Sequence, residues 1–447
     1  MTGAPLAEAT EAHCSTRWRL AIVSDAVWPF NPGGKEKRLH EIATRLGHRG
    51  VDVHVYTMQW WDGPRTLEQD GVTFHAISRL RPLYQGGRRS IPQAIVFGLA
   101  TLRLLFEPFD LVDVDHMPFF PLFTARLVCA LRGKRLVGTW HEVWGPAYWK
   151  TYLGPVGTIG WLMEWLSFRT PHHIIANSPH TSRRLAGYVR GTAVHAISLG
   201  VDFDHILTID TGPEPSDVVF AGRLLPNKNV DLLLRAVALL AGHGRDVRVT
   251  IVGEGPERGG LELLARELGI TGLVTFRDFF PDHDDLIAHI KASAVFVLPS
   301  QREGFGLVVL EANVCGVPVV TVDHPDNAAR ELIVEGCNGF VAALNEASLA
   351  DAIMLALASG ADMDTEAFAR ETFARYSWDA VAARVLEVLE PLVAGALVGG
   401  RREATSPAQV TTRGGPRTTL RPLPALHRPR PLDPTAQRGA AVAEAPR

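Results

Sequence analysis

The 447-residue chain has few cysteines and none of them are closely spaced. Its four cysteines, Cys14, Cys129, Cys315 and Cys337, lie far apart, and no Cys-x-x-Cys pair occurs. Neither a disulfide framework nor a cysteine zinc site is therefore expected, and a reducing cytoplasm is the natural compartment. The sequence also has no run of about 18 apolar residues, so no membrane-spanning helix is predicted. The N-terminus lacks a charged segment followed by an apolar one, so no signal peptide is predicted.

Net charge is also small. The chain has 45 Lys and Arg against 48 Asp and Glu, a formal charge of −3, so no global field attracts nucleic acid and none is expected as a partner. Apolar residues make up 46% and charged residues 21%, which is typical of a globular protein. Because the chain is too long for one compact core, we expect two domains with additional segments.

The most informative stretch runs from Pro299 to Ala312. It follows an apolar run that predicts a buried strand, and it turns through Gly304 and Gly306 into a helical pattern. A strand, a glycine turn and a helix N-terminus form an anion site, because free backbone N–H groups point at the bound group. Glu303 and Glu311 frame the turn. Two such acids taken alone are more often solvent-exposed, but in this setting they suit the two ends of an elongated ligand.

The stretch resembles the signature of the family 4 retaining glycosyltransferases, Pro-Ser-x-x-Glu-Gly-Phe-Gly-x-x-x-x-Glu-Ala. The resemblance implies an α/β fold of GT-B architecture: two Rossmann-like, doubly wound domains facing across a cleft, with a C-terminal crossover helix. It also implies a retaining transferase that moves a hexose from a nucleoside diphosphate sugar to an acceptor hydroxyl, in glycolipid or cell-surface polysaccharide synthesis. No cofactor and no metal are expected.

The order of predicted elements agrees with this fold, because short apolar strands alternate with helical patterns, which favours parallel sheets. In the first half the predicted strands are 19–24, 51–57, 110–114, 135–139, 172–176 and 193–197. We predict a disordered N-terminus at 1–17, an acceptor-side domain at 18–200, a nucleotide-sugar-binding domain at 201–375, a crossover helix at 376–398 and a disordered basic tail at 399–447. A linker is predicted at 203–216.

The resemblance assigns roles to residues in both halves. The catalytic candidates are Glu303 and His141, which would contact the sugar, and Arg223 and Lys228, which would hold the diphosphate. The donor-binding candidates are Gly33, Gly34, Gly253, Gly304, Phe305, Gly306, Leu307 and Glu311, the last of them on the ribose. The candidates for stacking on the base are Arg277, Phe279 and Phe280. Asn229 stands where the family has glycine after the lysine, and asparagine tolerates a positive φ there.

Two features leave alternatives open. Asp113 and Asp115 have a spacing that elsewhere holds a divalent metal, but the spacing is common by chance, and no metal is expected. Arg88 and Arg89 precede an apolar helix, and residues 140–168 are rich in Trp and Tyr. Such features suit a membrane interface or ordinary core packing, and we favour packing.

The expected partners are a nucleotide-sugar donor, a lipid-linked or saccharide acceptor and an anionic membrane surface, with the protein on the cytoplasmic side of the plasma membrane. Two other functions stay open. One is a GT-B epimerase or phosphorylase, and the other is a non-catalytic, membrane-associated protein that binds sugar nucleotides. The presence of Glu303, Glu311, Arg223 and Lys228 together argues against the second.

Overall fold

The computed structural model describes residues 18–31, 33–85 and 88–399. The strands in these ranges are β1 Arg19–Val23, β2 Asp52–Met58, β3 Thr66–Gln69, β4 Val72–Ser78, β5 Tyr84–Gln85, β6 Arg88–Arg89, β7 Leu111–Asp115, β8 Arg135–Trp140, β9 His173–Ala176, β10 Ala193–Ala196, β11 Ser216–Ala221, β12 Val249–Val252, β13 Val274–Arg277, β14 Ser293–Leu298, β15 Val319–Val322 and β16 Gly339–Ala342.

The α-helices connect these strands and extend beyond the last one. They are α1 Gly34–His48, α2 Ile91–Ala100, α3 Phe120–Arg132, α4 Gly145–Leu153, α5 Gly157–Ser167, α6 Pro179–Ala186, α7 Phe203–Thr208, α8 Val230–Gly242, α9 Arg258–Glu267, α10 His283–Lys291, α11 Leu307–Val314, α12 Glu346–Ser359, α13 Thr365–Phe373 and α14 Trp378–Gly399. Short 3₁₀ helices lie at Thr101–Leu105, Gly154–Val156, Pro226–Lys228, Ala328–Leu332, Gly360–Asp362 and Ala374–Tyr376.

The strands form two large sheets, one in each half of the chain. The first has the order β10-β9-β8-β7-β1-β2-β4-β3 and is parallel except for the edge strand β3. The second has the order β13-β12-β11-β14-β15-β16 and is parallel throughout. In both sheets the strand order reverses near the middle, which confirms the predicted pair of doubly wound domains.

The antiparallel pairs β3–β4 and β5–β6 were not predicted from the sequence, and one segment was assigned wrongly. The turn between β3 and β4 is Asp70-Gly71, and both residues have positive φ, 52° and 74°. An Asp-Gly pair between alternating strands is a strong hairpin signal, so this turn could have been predicted from the sequence. The predicted linker was wrong at its start, where α7 forms with the side chain of Asp202 as its N-cap. The predicted disordered termini lie outside the described residues, apart from residue 399.

Helices cover both sides of the first sheet, as the strand pattern requires. Leu20 and Ile22 of β1 face the core that α1 shares, whereas Ala21 and Val23 face the core that α2 and α3 share. The last helix, α14, returns to the first half and packs beside α1. Arg49 donates to the carbonyl of Asp379 at 2.9 Å.

Charged side chains are buried beneath α1. Asp113 and Asp115 lie on the α1 side of β7, and Arg38 of α1 is buried near them. Burial raises the pKa of Asp113 to about 6, although the charge of Arg38 opposes the rise. Asp110, just before β7, shows the opposite balance. Partial burial alone would raise its pKa, but hydrogen bonds from the Arg19 N–H and from Lys134 lower it below its ordinary value.

This contrast predicts opposite pH dependences for two substitutions. Because the folded protein holds the Asp113 proton more tightly than the unfolded chain, this residue disfavours folding increasingly as pH rises from about 4 to about 6. We therefore compare the unfolding free energies of Asp113→Asn and the parent protein. As pH rises from about 4.5 to about 7.5, the difference should change in favour of the variant by up to about 3 kcal/mol. Denaturant unfolding at the two pH values measures this.

Asp110→Asn is the matched control, because its pKa is shifted in the other direction. Its loss of stability should be present at neutral pH and should disappear as pH falls through the folded-state pKa. If all three proteins show the same dependence of unfolding free energy on pH, the opposite environments assigned to the two carboxyls are wrong.

Candidate active site

The loop after β14 and the helix α11 that follows it carry the two acids of the signature. Glu303 lies in the loop, and Glu311 lies within α11. Gly306 is the N-cap of α11 with φ of 97°, a conformation that glycine adopts readily and other residues rarely do. At the start of α11 the N–H of Val309 already donates to the carbonyl of Gly306 at 2.9 Å, so the N–H groups of Leu307 and Val308 are the ones an anion could use.

Glu303 meets the predicted phosphate-binding lysine. The Nζ atom of Lys228 lies 2.6 Å from Oε1 of Glu303. The two loops are tied together by Asn229, whose side-chain amide donates to the carbonyl of Pro299 at 3.1 Å. The φ of Asn229 is 50°, which confirms the expectation drawn from its place in the motif. The second half therefore brings Lys228 and Glu303 into one charged pair.

Arg223 lies where the two halves meet. It follows β11, and its guanidinium donates to the hydroxyl of Tyr84 in the first half at 2.9 Å. Its Nη2 atom lies 3.0 Å from the position that a Cβ atom on Gly33 would take. Gly33 is the N-cap of α1, and Gly34 is the first residue of that helix. The predicted glycine loop and the predicted phosphate-binding arginine are thus neighbours across the cleft.

Gly253 supports the loop that carries Arg223. An added Cβ at Gly253, whose φ is 152°, would overlap the carbonyl oxygen of Gly222. Its own N–H donates to the carbonyl of Arg277 at 2.9 Å. The absence of a side chain at Gly253 therefore lets the loops after β11, β12 and β13 stack closely.

Glu311 is buried, and its carboxylate contacts two basic side chains that were not predicted from the sequence. Oε1 of Glu311 lies 3.1 Å from Nζ of Lys37 on α1 and 3.0 Å from Nε2 of His283 on α10. Burial alone would raise the pKa of Glu311, but the charge of Lys37 and the contact with His283 hold it well below its usual range. No local pattern pairs these three residues, because each comes from a distant part of the chain.

His141 follows β8 and is oriented by a buried carboxylate. Its Nε2 atom lies 3.0 Å from Oδ1 of Asp115, and Nζ of Lys35 lies 3.5 Å from the other carboxylate oxygen. Burial alone would raise the pKa of Asp115, but Lys35 and His141 hold it well below its usual range. Burial alone would lower the pKa of Lys35, but the carboxylates of Asp25 and Asp115 raise it, and Asp25 has the larger effect.

The backbone of His141 also contacts the second half directly. A Cβ atom added to Gly304 would overlap the carbonyl oxygen of His141. The hydroxyl of Thr181 lies 3.4 Å from the carbonyl oxygens of both residues and can donate to either. The structure therefore places the predicted sugar-contacting histidine against the predicted donor turn.

A second charged cluster between the halves was not predicted. Arg302, which precedes Glu303, is buried, and its guanidinium lies 3.6 Å from the centre of the Tyr148 ring. It also lies 3.4 Å from a carboxylate oxygen of Asp326, which pairs with Arg184 of the first half. The only sequence signal for this cluster was the position of Arg302 inside the signature.

The remaining candidates are less closely defined. Arg277 pairs with Glu214, and the ring of Phe280 lies 5.8 Å from that of His289, so the assignment of a base-stacking residue, Phe279 included, stays a prediction. Phe305 is buried and therefore supports the turn from behind.

The two acids of the Asp-x-Asp spacing have partners within the protein. Asp113 accepts a hydrogen bond from Thr139 at 2.9 Å, and Asp115 is held by Lys35 and His141. Within the described ranges, no group of three or more His, Cys, Asp or Glu side chains is arranged to hold a metal ion.

Comparison with known proteins gives matches across both halves. The family described as Glycosyltransferase Family 4 matches residues 32–205, and the family described as Glycosyl transferases group 1 matches residues 209–375. A D-inositol 3-phosphate glycosyltransferase of Geodermatophilus obscurus is 30% identical over 433 residues, 88% of this chain and 90% of the relative. A GDP-mannose-dependent alpha-(1-6)-phosphatidylinositol monomannoside mannosyltransferase of Mycolicibacterium smegmatis is 30% identical over 47% of this chain and 66% of the relative.

Solved structures show the same fold. Sucrose-phosphate synthase from Thermosynechococcus elongatus superimposes with a TM-score of 0.70 at 19% identity, over 85% of this chain and all of that one. The Anabaena protein HepE, solved in complex with UDP-glucose, has a TM-score of 0.63 at 22% identity over 84% of this chain and all of that one. With the relative that matches almost the whole chain, these findings confirm the resemblance drawn from the signature: the protein is a GT-B glycosyltransferase and belongs to family 4, the glycosyl transferases group 1.

Proposed function

We propose that this glycosyltransferase moves a hexose from a nucleoside diphosphate sugar to an acceptor hydroxyl with retention of configuration and without a metal. The observation that carries the proposal is the meeting of four predicted residues in the cleft. Lys228 pairs with Glu303, and His141 lies against Gly304 of the same turn. The relatives that are named as glycosyltransferases do not favour the epimerase alternative.

The charges of the cleft suit the departure of a nucleoside diphosphate. Arg223 and Lys228, with the backbone N–H groups at the start of α11, would stabilise the negative charge that develops on the diphosphate. Glu303 would accept hydrogen bonds from sugar hydroxyls, and Glu311 from the ribose. His141, held by Asp115, would present its other ring nitrogen to the sugar. The departing diphosphate itself would take the acceptor proton, with attack on the same face.

The acceptor is proposed to be lipid-linked, or a saccharide attached to a lipid, at the inner face of the plasma membrane. The mannosyltransferase relative is named for a phosphatidylinositol-based acceptor, which supports a lipid carrier. None of the described helices is long and apolar enough to cross a membrane, so any attachment through them would be peripheral.

The donor assignment is tested with a panel of UDP, GDP and ADP and their hexose conjugates. A ligand at about 100 times its Kd should stabilise the protein by about 2.7 kcal/mol, which thermal unfolding detects easily. We expect one nucleoside diphosphate to stand out and the shift to survive a chelator. If no nucleotide shifts the melting temperature, the donor site is wrongly assigned. If the shift disappears with a chelator, the metal-free mechanism is wrong.

Removing either phosphate-binding cation should slow transfer strongly. Arg223→Ala and Lys228→Ala are each expected to lower kcat by about a hundredfold or more, equivalent to about 2.7 kcal/mol. Steady-state kinetics with the donor identified above measures the change. Arg235→Ala is the matched control, because this arginine lies on the exposed side of α8. Near-parental rates for both test variants would contradict the assignment of the diphosphate site.

Lys37 should set the pH range in which Glu311 can act as a carboxylate. In Lys37→Gln the buried Glu311 loses the lysine charge and keeps only the contact with His283, so the pKa of Glu311 should rise from its present low position. We therefore expect diphosphate affinity, measured by calorimetry, to fall at acidic pH and to approach the parental value under alkaline conditions. His40→Gln, also on α1, is the control. If the affinity of Lys37→Gln for the diphosphate at acidic pH equals that of the parent protein, Glu311 does not act through its charge.

A further inference from the structure

Exposed apolar side chains are concentrated on three helices of the first half. On α2, Ile91, Ile95 and Leu99 are exposed at four-residue intervals, which forms a single stripe along the helix. On α3, Leu127 and Leu131 repeat the same interval, and Leu131 has 67% of its surface exposed. In the described part of the second half, the exposed large apolar residues are scattered over separate elements.

The third helix, α5, repeats the pattern with Ile159, Leu162 and Leu166 exposed on one side and Trp165 beside them. The opposite sides of α2 and α3, and the residue that follows α5, Phe168, belong to one core on the same side of the first sheet. These helices are therefore apolar toward the sheet and also away from it. A helix that is apolar all round is normally buried against something. We call the exposed side of α2, α3 and α5 the outer face.

The exposed charges around the outer face have one sign, whereas Glu107, shortly after α2, is a partly buried carboxylate. The exposed charged side chains on α2 to α5 and the short segments that follow α2 and α5 are all cations: Arg103, Arg126, Lys150 and Arg169. The guanidinium of Arg169 lies 3.7 Å from the centre of the Trp165 ring, so a cation and an aromatic ring share the rim.

The one carboxylate in these helices is directed inward. Glu164 of α5 is buried and accepts hydrogen bonds from the N–H of Trp144 at 2.7 Å, the N–H of Gly145 at 2.9 Å and the indole of Trp149 at 2.8 Å. It therefore does not offset the cations at the surface. The same contacts fix α4 to α5, and α4 begins only a few residues after His141. The outer face is thus joined through α4 to the loop on the acceptor side of the cleft.

We propose that the outer face binds the surface of an anionic lipid bilayer, with its apolar side chains at the level of the acyl chains and its cations among the headgroups. The inference rests on the proposed lipid-linked acceptor, which would reach the cleft from this surface. A second copy of the chain fits less well, because a symmetric contact would bring the same cations together without a carboxylate between them. Of the Trp-rich stretch singled out in the sequence, the surface includes only α5 with Trp165, because Trp140 and Trp149 are buried.

The test measures binding of the full-length protein to vesicles by co-sedimentation. One set of vesicles contains equal parts of phosphatidylglycerol and phosphatidylcholine, and the other contains phosphatidylcholine alone. We expect tighter binding to the anionic vesicles. Arg103→Gln combined with Arg126→Gln should weaken that binding on the order of 30-fold, since each cation near an anionic surface makes a similar contribution to the affinity and the variant lacks two of them. Added salt should weaken parental binding in the same direction.

The apolar contribution is tested by one substitution on each helix. The triple variant Leu99→Asn, Leu131→Asn and Leu162→Asn should weaken binding to anionic vesicles at least about a hundredfold. The matched control, Leu263→Asn with Leu355→Asn, changes two exposed leucines of the second half and should bind as the parent does. A third variant replaces three arginines of the basic tail, Arg413, Arg417 and Arg421, with glutamine in the full-length chain and should also bind as the parent does.

Three results would overturn the proposal. The first is that the parental protein does not bind anionic vesicles. The second is that the outer-face variants bind as well as the parent while the tail variant does not. The third is that sedimentation equilibrium shows a dimer of the parental protein and a monomer of the triple variant, which would make the face a contact between copies. Thermal shifts with nucleoside diphosphates are recorded for every variant. Because the outer face lies away from the donor loops, these shifts should be unchanged, so failure of vesicle binding is distinguished from failure of the proposed function.

Discussion

The close approach of the Gly304 turn to the carbonyl of His141 is the constraint on which the cleft depends. No side chain fits between the two backbones, so any other residue at Gly304 would push the donor turn away from the first half. The pairs around this contact, Lys228 with Glu303 and His141 with Asp115, then lie on its two sides. The geometry of the charged groups is thus a consequence of how closely two stretches of main chain can meet.

The cleft also shows how buried charge is tolerated. Glu311 and Asp115 are both buried carboxylates, and each has a cationic group from α1 beside it, Lys37 and Lys35 respectively. Leaving either acid buried without a partner would be far less favourable than pairing it. Because α1 supplies both lysines, this one helix keeps the donor-side acid and the histidine-orienting acid charged at the same time.

Sequence reasoning succeeded where one segment contains its own evidence. The strand, glycine turn and helix around Glu303, the alternation of strands and helices, and the positive φ of Asn229 are all local patterns. It missed partners that come from distant segments, such as Lys37 for Glu311, which lies 274 positions away. For residues 140–168 it favoured packing, which agrees with the burial of Trp140 and Trp149, but it did not single out Trp165 as exposed, because the exposure of one tryptophan depends on the helices that pack over it.

The two halves repeat one fold but differ in what they present outward. In the second half the loops after the strands carry most of the predicted donor contacts, and its exposed apolar residues are scattered. In the first half the helices that cover one side of the sheet are apolar outward as well as inward, and their exposed charges are cationic. The parallel-sheet core does not require this asymmetry, since the second half folds without it. The difference is the one that the proposed binding of the first half to a membrane surface would require.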